Sequence, residues 1–413
     1  VAIFPGWRQV VLGGFTQGIG NGTTLTCYSV MALQYNAAFH PSRMVLMLGV
    51  TLIITVGCAL APLLGAAMDR RSLRGLLMIA ALLLTAAFLT LSFTTSMLQV
   101  LIVYGAMIAI AKQVLGHIST NALLARWFTR RRGMAMGLAG LGSSIGAFIF
   151  PPLLQELITA FGWRAALQIL AAIVFVVLVP AIRFLAINWP SDRNLYPDGE
   201  SAPATAPAAE RPSPNLTTGN VLRDPSFWLI AIATGLPFAG ATGMVANMVP
   251  LVIAKGIDPT HAALLLSSMS VGTFSGKVLF AGLSDRIDSR IALAVCLVGV
   301  SASMLCFWYG AGYALMVLSS FLLGITIGAV GPLWGYLLAR GFGAQNMGLV
   351  MGLIALVTMP LTLVAAPFFG FVFDETGSYN DALLIVAGLC IAALLSLPRI
   401  RMGLRNVAAP ALS

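Results

Sequence analysis

Gly65-Ala-Ala-Met-Asp69-Arg70-Arg71-Ser72-Leu73-Arg74 is a charged turn between two long apolar runs. About 215 residues later it returns as Ala281-Gly-Leu-Ser-Asp285-Arg286-Ile-Asp288-Ser-Arg290. Other pairs keep nearly the same spacing. Leu124-Ala-Arg126 recurs as Leu338-Ala-Arg340, Met136-Gly-Leu138 as Met351-Gly-Leu353, Pro152 as Pro367, and Gly162 as Gly377. A single short match would carry little weight. An ordered series at one offset marks an internal duplication.

What is duplicated is read from composition. The chain has 413 residues, of which 59% are hydrophobic and 9% charged, and its mean hydropathy is +0.95. Soluble domains are about 45–50% apolar and about 25% charged, so this chain is built for lipid. A helix needs about 20 mostly apolar residues to cross a bilayer. Such stretches fall at 8–34, 44–67, 75–95, 97–124, 133–157 and 165–187, then at 226–254, 262–284, 291–311, 313–340, 346–373 and 380–397. Between the two sets lies a polar stretch, 188–224, in which Ser201 to Pro214 is mostly Ala, Pro, Ser and Glu. Such a segment cannot bury a core and reads as a flexible linker. The expected fold is an all-α integral membrane protein with twelve transmembrane helices in two pseudo-symmetric six-helix halves. The expected halves are 1–187 and 225–413, the second with a short tail. Duplicated halves of this kind suit a rocking transporter with its site between them near the midplane.

The formal net charge is +10. In a soluble protein that would suggest nucleic acid, but here the basic residues cluster at span ends. The side carrying the long loop receives Arg8, Arg70, Arg71, Arg74, Arg126, Arg130 to Arg132, Arg183, Arg193, Arg211, Arg223, Arg286, Arg290, Arg340, Arg399, Arg401 and Arg405. The other side receives Arg43, Arg164 and Lys255. The positive-inside rule then places both termini and the linker in the cytoplasm of a cell (inner or plasma) membrane. The first apolar run starts after about seven residues, and no cleavable signal peptide is expected. The five cysteines lie in apolar segments without a CxxC spacing and read as inert packing thiols.

Two lysines lie deep inside apolar runs: Lys112 near the middle of span four and Lys277 in span eight. A cation at membrane depth costs roughly 2.5–3.5 kcal/mol on insertion scales. No Asp or Glu lies at comparable depth. The missing counter-charge is then the cargo, an anion. Without it, two unpaired ammonium groups resist enclosure. The plainer readings are that Lys277 snorkels to its span end and that Lys112 binds helix carbonyls of a neighbour. Gln113, His117 and Asn121 form a polar stripe on span four at i, i+4 and i+8. A histidine can titrate near neutrality, so His117 is the candidate proton carrier. Gln17, Asn21, Thr24 and Tyr28 form a second stripe in span one. Asn247 in span seven and Thr326, Trp334 and Tyr336 in span ten are further candidate cavity residues. Polar groups between helices also serve as packing glue, so each of these has a structural alternative.

The charged turn resembles the loop signature of the major facilitator superfamily, G-x-L-a-D-R-x-G-R-R. Gly65, Asp69, Arg70 and Arg74 match it, with Ser72 where a second glycine is usual. The echo keeps Asp285, Arg286 and Arg290, with Ala281 and Asp288 where glycines are commoner. The run Arg126-Trp127-Phe128-Thr129-Arg130-Arg131-Arg132-Gly133-Met-Ala-Met-Gly137-Leu-Ala is similar to that of the monocarboxylate transporters and the oxalate–formate exchangers. So are Gly142, Gly146, Pro151-Pro152 and Gly162-Trp163-Arg164. Those families often carry G-R-x-x-x-G-x-x-[SD]-D-R in span eight, whose Arg contacts a carboxylate. Gly276-Lys277-Val-Leu-Phe-Ala-Gly282-Leu-Ser284-Asp285-Arg286 stands there in this chain. The resemblance implies that Lys277 makes that contact, with the charge kept and the bidentate fork lost. Phe4-Pro5-Gly6-Trp7 likewise lacks the acidic residue many monocarboxylate carriers have before Gly-Trp. The resemblance also implies that spans one, four, seven and ten line the cavity. Asp69 with Arg70 and Arg74, and Asp285 with Arg286 and Arg290, read as a gating latch. In it a carboxylate caps a facing helix and pairs with arginine across the halves.

The expected function is secondary active transport of small organic anions by alternating access, with monocarboxylates or short hydroxy- or dicarboxylates as cargo. Proton symport and anion exchange both fit. An exporter of amphipathic drugs is the second reading, but an embedded acid and a Gly-Pro motif in span five are lacking. A non-transporting anion sensor is the third, and the linker and tail are too small to serve as its output domain. No nucleophile–base pair, phosphate loop or metal cluster emerges, so no enzyme activity, cofactor or metal is expected. The expected partners are the anion, protons or a counter-anion, and the lipid bilayer, with no nucleic acid.

Overall fold

Lipid offers no hydrogen bonds, so an apolar run must satisfy its backbone within itself, and the helix does this. The computed structural model describes residues 4–199, 216–256, 259–310 and 312–397, and no strand occurs among the described residues. Arg211, Arg399, Arg401, Arg405 and the tail lie outside them. Nine described helices are long and apolar enough to cross a membrane. Spans two and three are Arg43–Arg70 and Leu73–Ser92. Spans five and six form one run, Arg132–Leu185, broken at Gly162. Spans seven to eleven are Pro225–Ala254, Pro259–Leu283, Ser289–Tyr309, Tyr313–Phe342 and Met347–Thr376. The shorter Asn380–Ser396 is span twelve. With spans one and four below, this is an all-α integral membrane protein of twelve spans.

Spans one and four are interrupted. Span one runs Gly6–Asn21, then a π-helical turn at Gly22–Thr26, then Tyr28–Phe39. Span four runs Met97–Val103, a π turn at Tyr104–Ile108, Ala109–Leu115, and His117–Trp127 after a break at Gly116, where ψ is −159°. A π turn inserts residues into the α register and rotates the next helical segment about the axis. The duplicated pair Gly162 and Gly377 has a conformational reason. Both take positive φ, +78° and +68°, which L side chains adopt only with strain.

Small residues set the packing. Span one lies on span five so closely that a methyl at Gly142 would overlap the Gly14 carbonyl, and one at Gly146 that of Gly18. Spans eight and ten repeat the arrangement, with Gly276 on the Ile325 carbonyl and Gly328 on that of Thr273. The halves meet along two seams, span two on span eleven and span five on span eight. At the linker end both seams are tight: Gly65 lies on Gly348, and Gly137 on Ala281.

Candidate transport site

A cavity of about 290 Å3 lies between the halves. Gln17 and Asn21 reach it from span one, His117 and Asn121 from span four, and Ser143 from span five. Phe238, Thr273, Lys277 and Trp334 reach it from the second half. Lys277 is one helical turn from Thr273, so both sit on the same face of span eight. The Lys277 ammonium donates to Ser143 Oγ and Ser144 Oγ, each at 2.7 Å. These hydroxyls belong to the opposite half. A second cavity, of about 600 Å3, shares Asn21, Ser143, Thr273 and Lys277 and extends between spans five and eight past Phe148 and Phe274. Lys277 therefore stands in a wall common to both spaces. The expectation of an unpaired amine is corrected for this residue: the amine has protein acceptors, and they are neutral.

The remainder of the cavity wall is amphipathic. The Trp334 ring lies 5.6 Å from Phe238 and 6.3 Å from His117, so an aromatic surface spans the interface. Asn121 Nδ2 and Trp334 Nε1 are buried donors without a protein acceptor among the described residues. Buried donors are rarely left unmatched.

The structure gathers Gln17, Asn21, His117, Trp334 and Lys277 and places the other candidates elsewhere. Tyr28 shares its sequence stripe with Gln17 and Asn21, but the π turn at Gly22–Thr26 rotates it away. Its hydroxyl donates to the Leu46 carbonyl, and its ring meets Tyr104 edge-on at 5.0 Å. Thr24 is turned back on the Gly20 carbonyl. The break at Gly116 divides the other stripe. Gln113 rests against Gly57 of span two, while His117 and Asn121 face the cavity. Lys112 lines neither cavity; it is half-buried within electrostatic reach of Cys58. Asn247 donates to the Gly243 and Ala366 carbonyls at 2.9 and 3.2 Å, tying span seven to span eleven. Thr326 donates to Leu323, and Tyr336 packs edge-on against Phe280. Sequence reading passed over Ser143, Ser144 and Thr273. The available signal was a pair of hydroxyls beside Gly142, the only polar side chains between Gly133 and Pro151.

At the linker end, two carboxylates join the halves. Asp69 accepts from the backbone N–H of Gly348 and Leu349, at 2.9 and 2.7 Å, in the first turn of span eleven. Asp285 accepts from Gly133 and Met134, at 2.8 and 3.0 Å, in the first turn of span five. The repeat relates the two contacts. A helix N-terminus is a ready anion site, which explains why an acid stands at the end of the second span in each half. The arginines are used differently. Arg74 donates to the Arg183 carbonyl of its own half, and Arg126 to the Met68 carbonyl, with Trp189 stacked 4.4 Å from its guanidinium. Linker residue Asp198 takes the Thr129 and Arg130 amides, at 2.8 and 2.7 Å, just before span five. Burial pushes the Asp285 carboxyl upward from its usual range. The Met134 and Gly133 amides oppose this, Asp198 adds to the rise, and Arg132 counters it.

A sequence model described as Major Facilitator Superfamily matches residues 10–358 and 233–409. The chain belongs to the major facilitator superfamily. This facilitator is similar to "Monocarboxylate transporter 12" of Mus musculus, 26% identical over 402 residues, with 92% of this chain and 82% of that relative covered. It is equally similar to "Monocarboxylate transporter 13" of Rattus norvegicus, 26% identical over 404 residues, covering 95% and 89%. "Monocarboxylate transporter 4" of Rattus norvegicus is 25% identical over 359 residues, covering 81% and 70%. Among solved structures, the facilitator transporter FucP in its outward conformation aligns with a TM-score of 0.71 at 16% identity. That alignment covers 97% of this chain and 99% of FucP, a likeness of fold. This facilitator is a multi-pass membrane transporter.

Proposed function

We propose that this facilitator is a secondary active transporter of small organic anions, carrying monocarboxylates or short hydroxy- or dicarboxylates by alternating access. The observation that carries the reading is Lys277, an ammonium on the wall of a cavity between the halves whose described hydrogen-bond partners are neutral hydroxyls. A carboxylate is the stronger partner, because charge-assisted bonds are about twice as strong as neutral ones. Gln17 and Asn21 offer hydrogen bonds to the rest of the cargo, and Phe238 and Trp334 an apolar surface. The unmatched donors on Asn121 and Trp334 favour cargo that bears a further acceptor oxygen. Lys112 acts at a distance, adding to the positive potential that draws an anion in. The similarity to monocarboxylate transporters supports the same reading.

In this reading the halves 1–187 and 225–413 rock about the site, joined by the linker 188–224. The linker side is the cytoplasmic side of a cell membrane, as its arginines favour. Asp69 and Asp285 hold that side shut, with Arg70, Arg74, Arg286 and Arg290 shaping the same corners. His117 is the proton-linked group if uptake follows a pH gradient. Uptake of a panel of labelled carboxylates into proteoliposomes, with and without an imposed pH gradient, tests the proposal. Lys277→Gln is expected to lower carboxylate uptake about a hundredfold, as loss of a buried charged contact does, while the protein still folds. Undiminished uptake by that variant would reject Lys277 as the anion contact.

A further inference from the structure

The two serines that hold Lys277 lie at a particular point in the seam between the halves. On the linker side of them, span five touches span eight closely, with Gly137 on Ala281 and Gly133 on Ser284 and Asp285. On the other side the seam widens into the 600 Å3 space beside Phe148 and Phe274. Ser143 and Ser144 thus reach across from span five at the place where the seam passes from closed to open. Ser143 also donates to the Gly140 carbonyl at 2.8 Å. Its hydrogen is therefore engaged, and an oxygen lone pair is left for the lysine. The arrangement gives the ammonium two acceptors without neutralising it.

We propose that Ser143 and Ser144 are stand-in acceptors for the Lys277 ammonium, which allow the carrier to enclose this lysine and reorient without cargo. The inference rests on the reading of Lys277 as the anion contact. A buried cation with no partner is strongly disfavoured. A carrier with a bare lysine would close only around an anion, and it would exchange one anion for another. Two hydroxyls lower that barrier and permit the return step of net transport. An incoming carboxylate displaces them because its bonds to the ammonium are stronger. The serines are therefore positioning residues that set the balance between net flux and exchange.

The test has an arm that needs no cargo. The full chain is labelled with a dye on each half at the linker end, placed in nanodiscs in carboxylate-free buffer, and followed by single-molecule energy transfer. The wild type is expected to interconvert between linker-side closed and open distances. In S143A/S144A the rate falls about tenfold, the scale of one hydrogen bond to a charged group. S143T/S144T, which keeps both hydroxyls, retains the wild-type rate. In a Lys277→Met background the serine substitutions have no further effect. A wild type that does not interconvert without carboxylate overturns the proposal. So does a serine effect of equal size in the Lys277→Met background. The second arm measures labelled L-lactate in proteoliposomes, where the ratio of net flux to exchange falls about tenfold in S143A/S144A. Lactate transport that survives Lys277→Gln would reject the anion-contact reading alone, and the energy-transfer arm would still decide the role of the serines.

Discussion

A lysine on a membrane-spanning helix survives selection when something offsets the roughly 2.5–3.5 kcal/mol that its insertion costs. Lys277 is offset by geometry. Thr273 and Lys277 share a face of span eight, and Ser143 and Ser144 meet the ammonium from the opposite half. Replacing this lysine by arginine keeps the charge and adds a planar fork suited to carboxylates. Two hydroxyls placed for an ammonium then fit it less well. Lys277→Arg is expected to bind carboxylates at least as tightly as the wild type and to turn over more slowly. Equilibrium binding measured beside initial uptake rates checks this. The lysine and its depth were legible in the sequence, because charge is scarce in this chain and hydropathy is a local property. The serines were not, because a hydroxyl in a membrane helix usually bonds its own backbone, as Thr24 does with Gly20.

Helix packing explains the small residues at the next scale. The Gly142 and Gly146 backbones touch the Gly14 and Gly18 carbonyls, so any side chain there must force spans one and five apart. Gly142→Val is expected to lower stability by about 1–3 kcal/mol, the usual cost of overpacking, seen as a lower melting temperature in detergent. Gly140→Ala is the control. A methyl at that position would meet Pro332 at 3.6 Å, an ordinary contact, and the melting temperature should hold. The π turn in span one makes a second case. Deleting Thr26 would restore α-helical register and rotate the following helix by about 100°. Tyr28 would lose the Leu46 carbonyl and the Tyr104 ring. The deletion is expected to melt below the wild type in detergent. Polar stripes drawn from the sequence assumed unbroken helices. That is why Gln17 and Asn21 reach the cavity and Tyr28, Thr24 and Gln113 do not.

The whole molecule is a pair of halves held together at the linker end by two carboxylates on two helix N-termini. Asp69→Ala and Asp285→Ala each remove a doubly hydrogen-bonded anion from that seam. Each is expected to shift the population toward the linker-side open form by about tenfold or more, since a hydrogen bond to a charged group contributes about 1.5–3 kcal/mol. Spin-label distances across the linker end measure the shift. The seam is also expected to respond to pH. In this linker-side closed form burial raises the Asp285 carboxyl, and a form that opens this seam to water is expected to return it to its ordinary value. The closed form therefore binds the proton more tightly. Its advantage grows as pH falls through the raised value toward the ordinary carboxylate range, and is lost as pH rises through the raised value. Asp285→Asn should flatten the pH dependence of the same distances in that window.

Twelve spans, the duplication and the depth of both lysines are properties of the sequence alone. Each depends on local hydropathy or on a comparison of the chain with itself. The acids of the charged turns could also be placed at a helix end, since a carboxylate beside a facing N-terminus is a local electrostatic fit. Which polar residues share the cavity was decided only in three dimensions. The π turns and the break at Gly116 change the helical register without an evident mark in composition. Contacts between halves, such as Lys277 with Ser143 and Ser144, join residues more than 130 positions apart. No periodicity within a span encodes such a meeting, because it depends on how helices distant in the chain are pressed together.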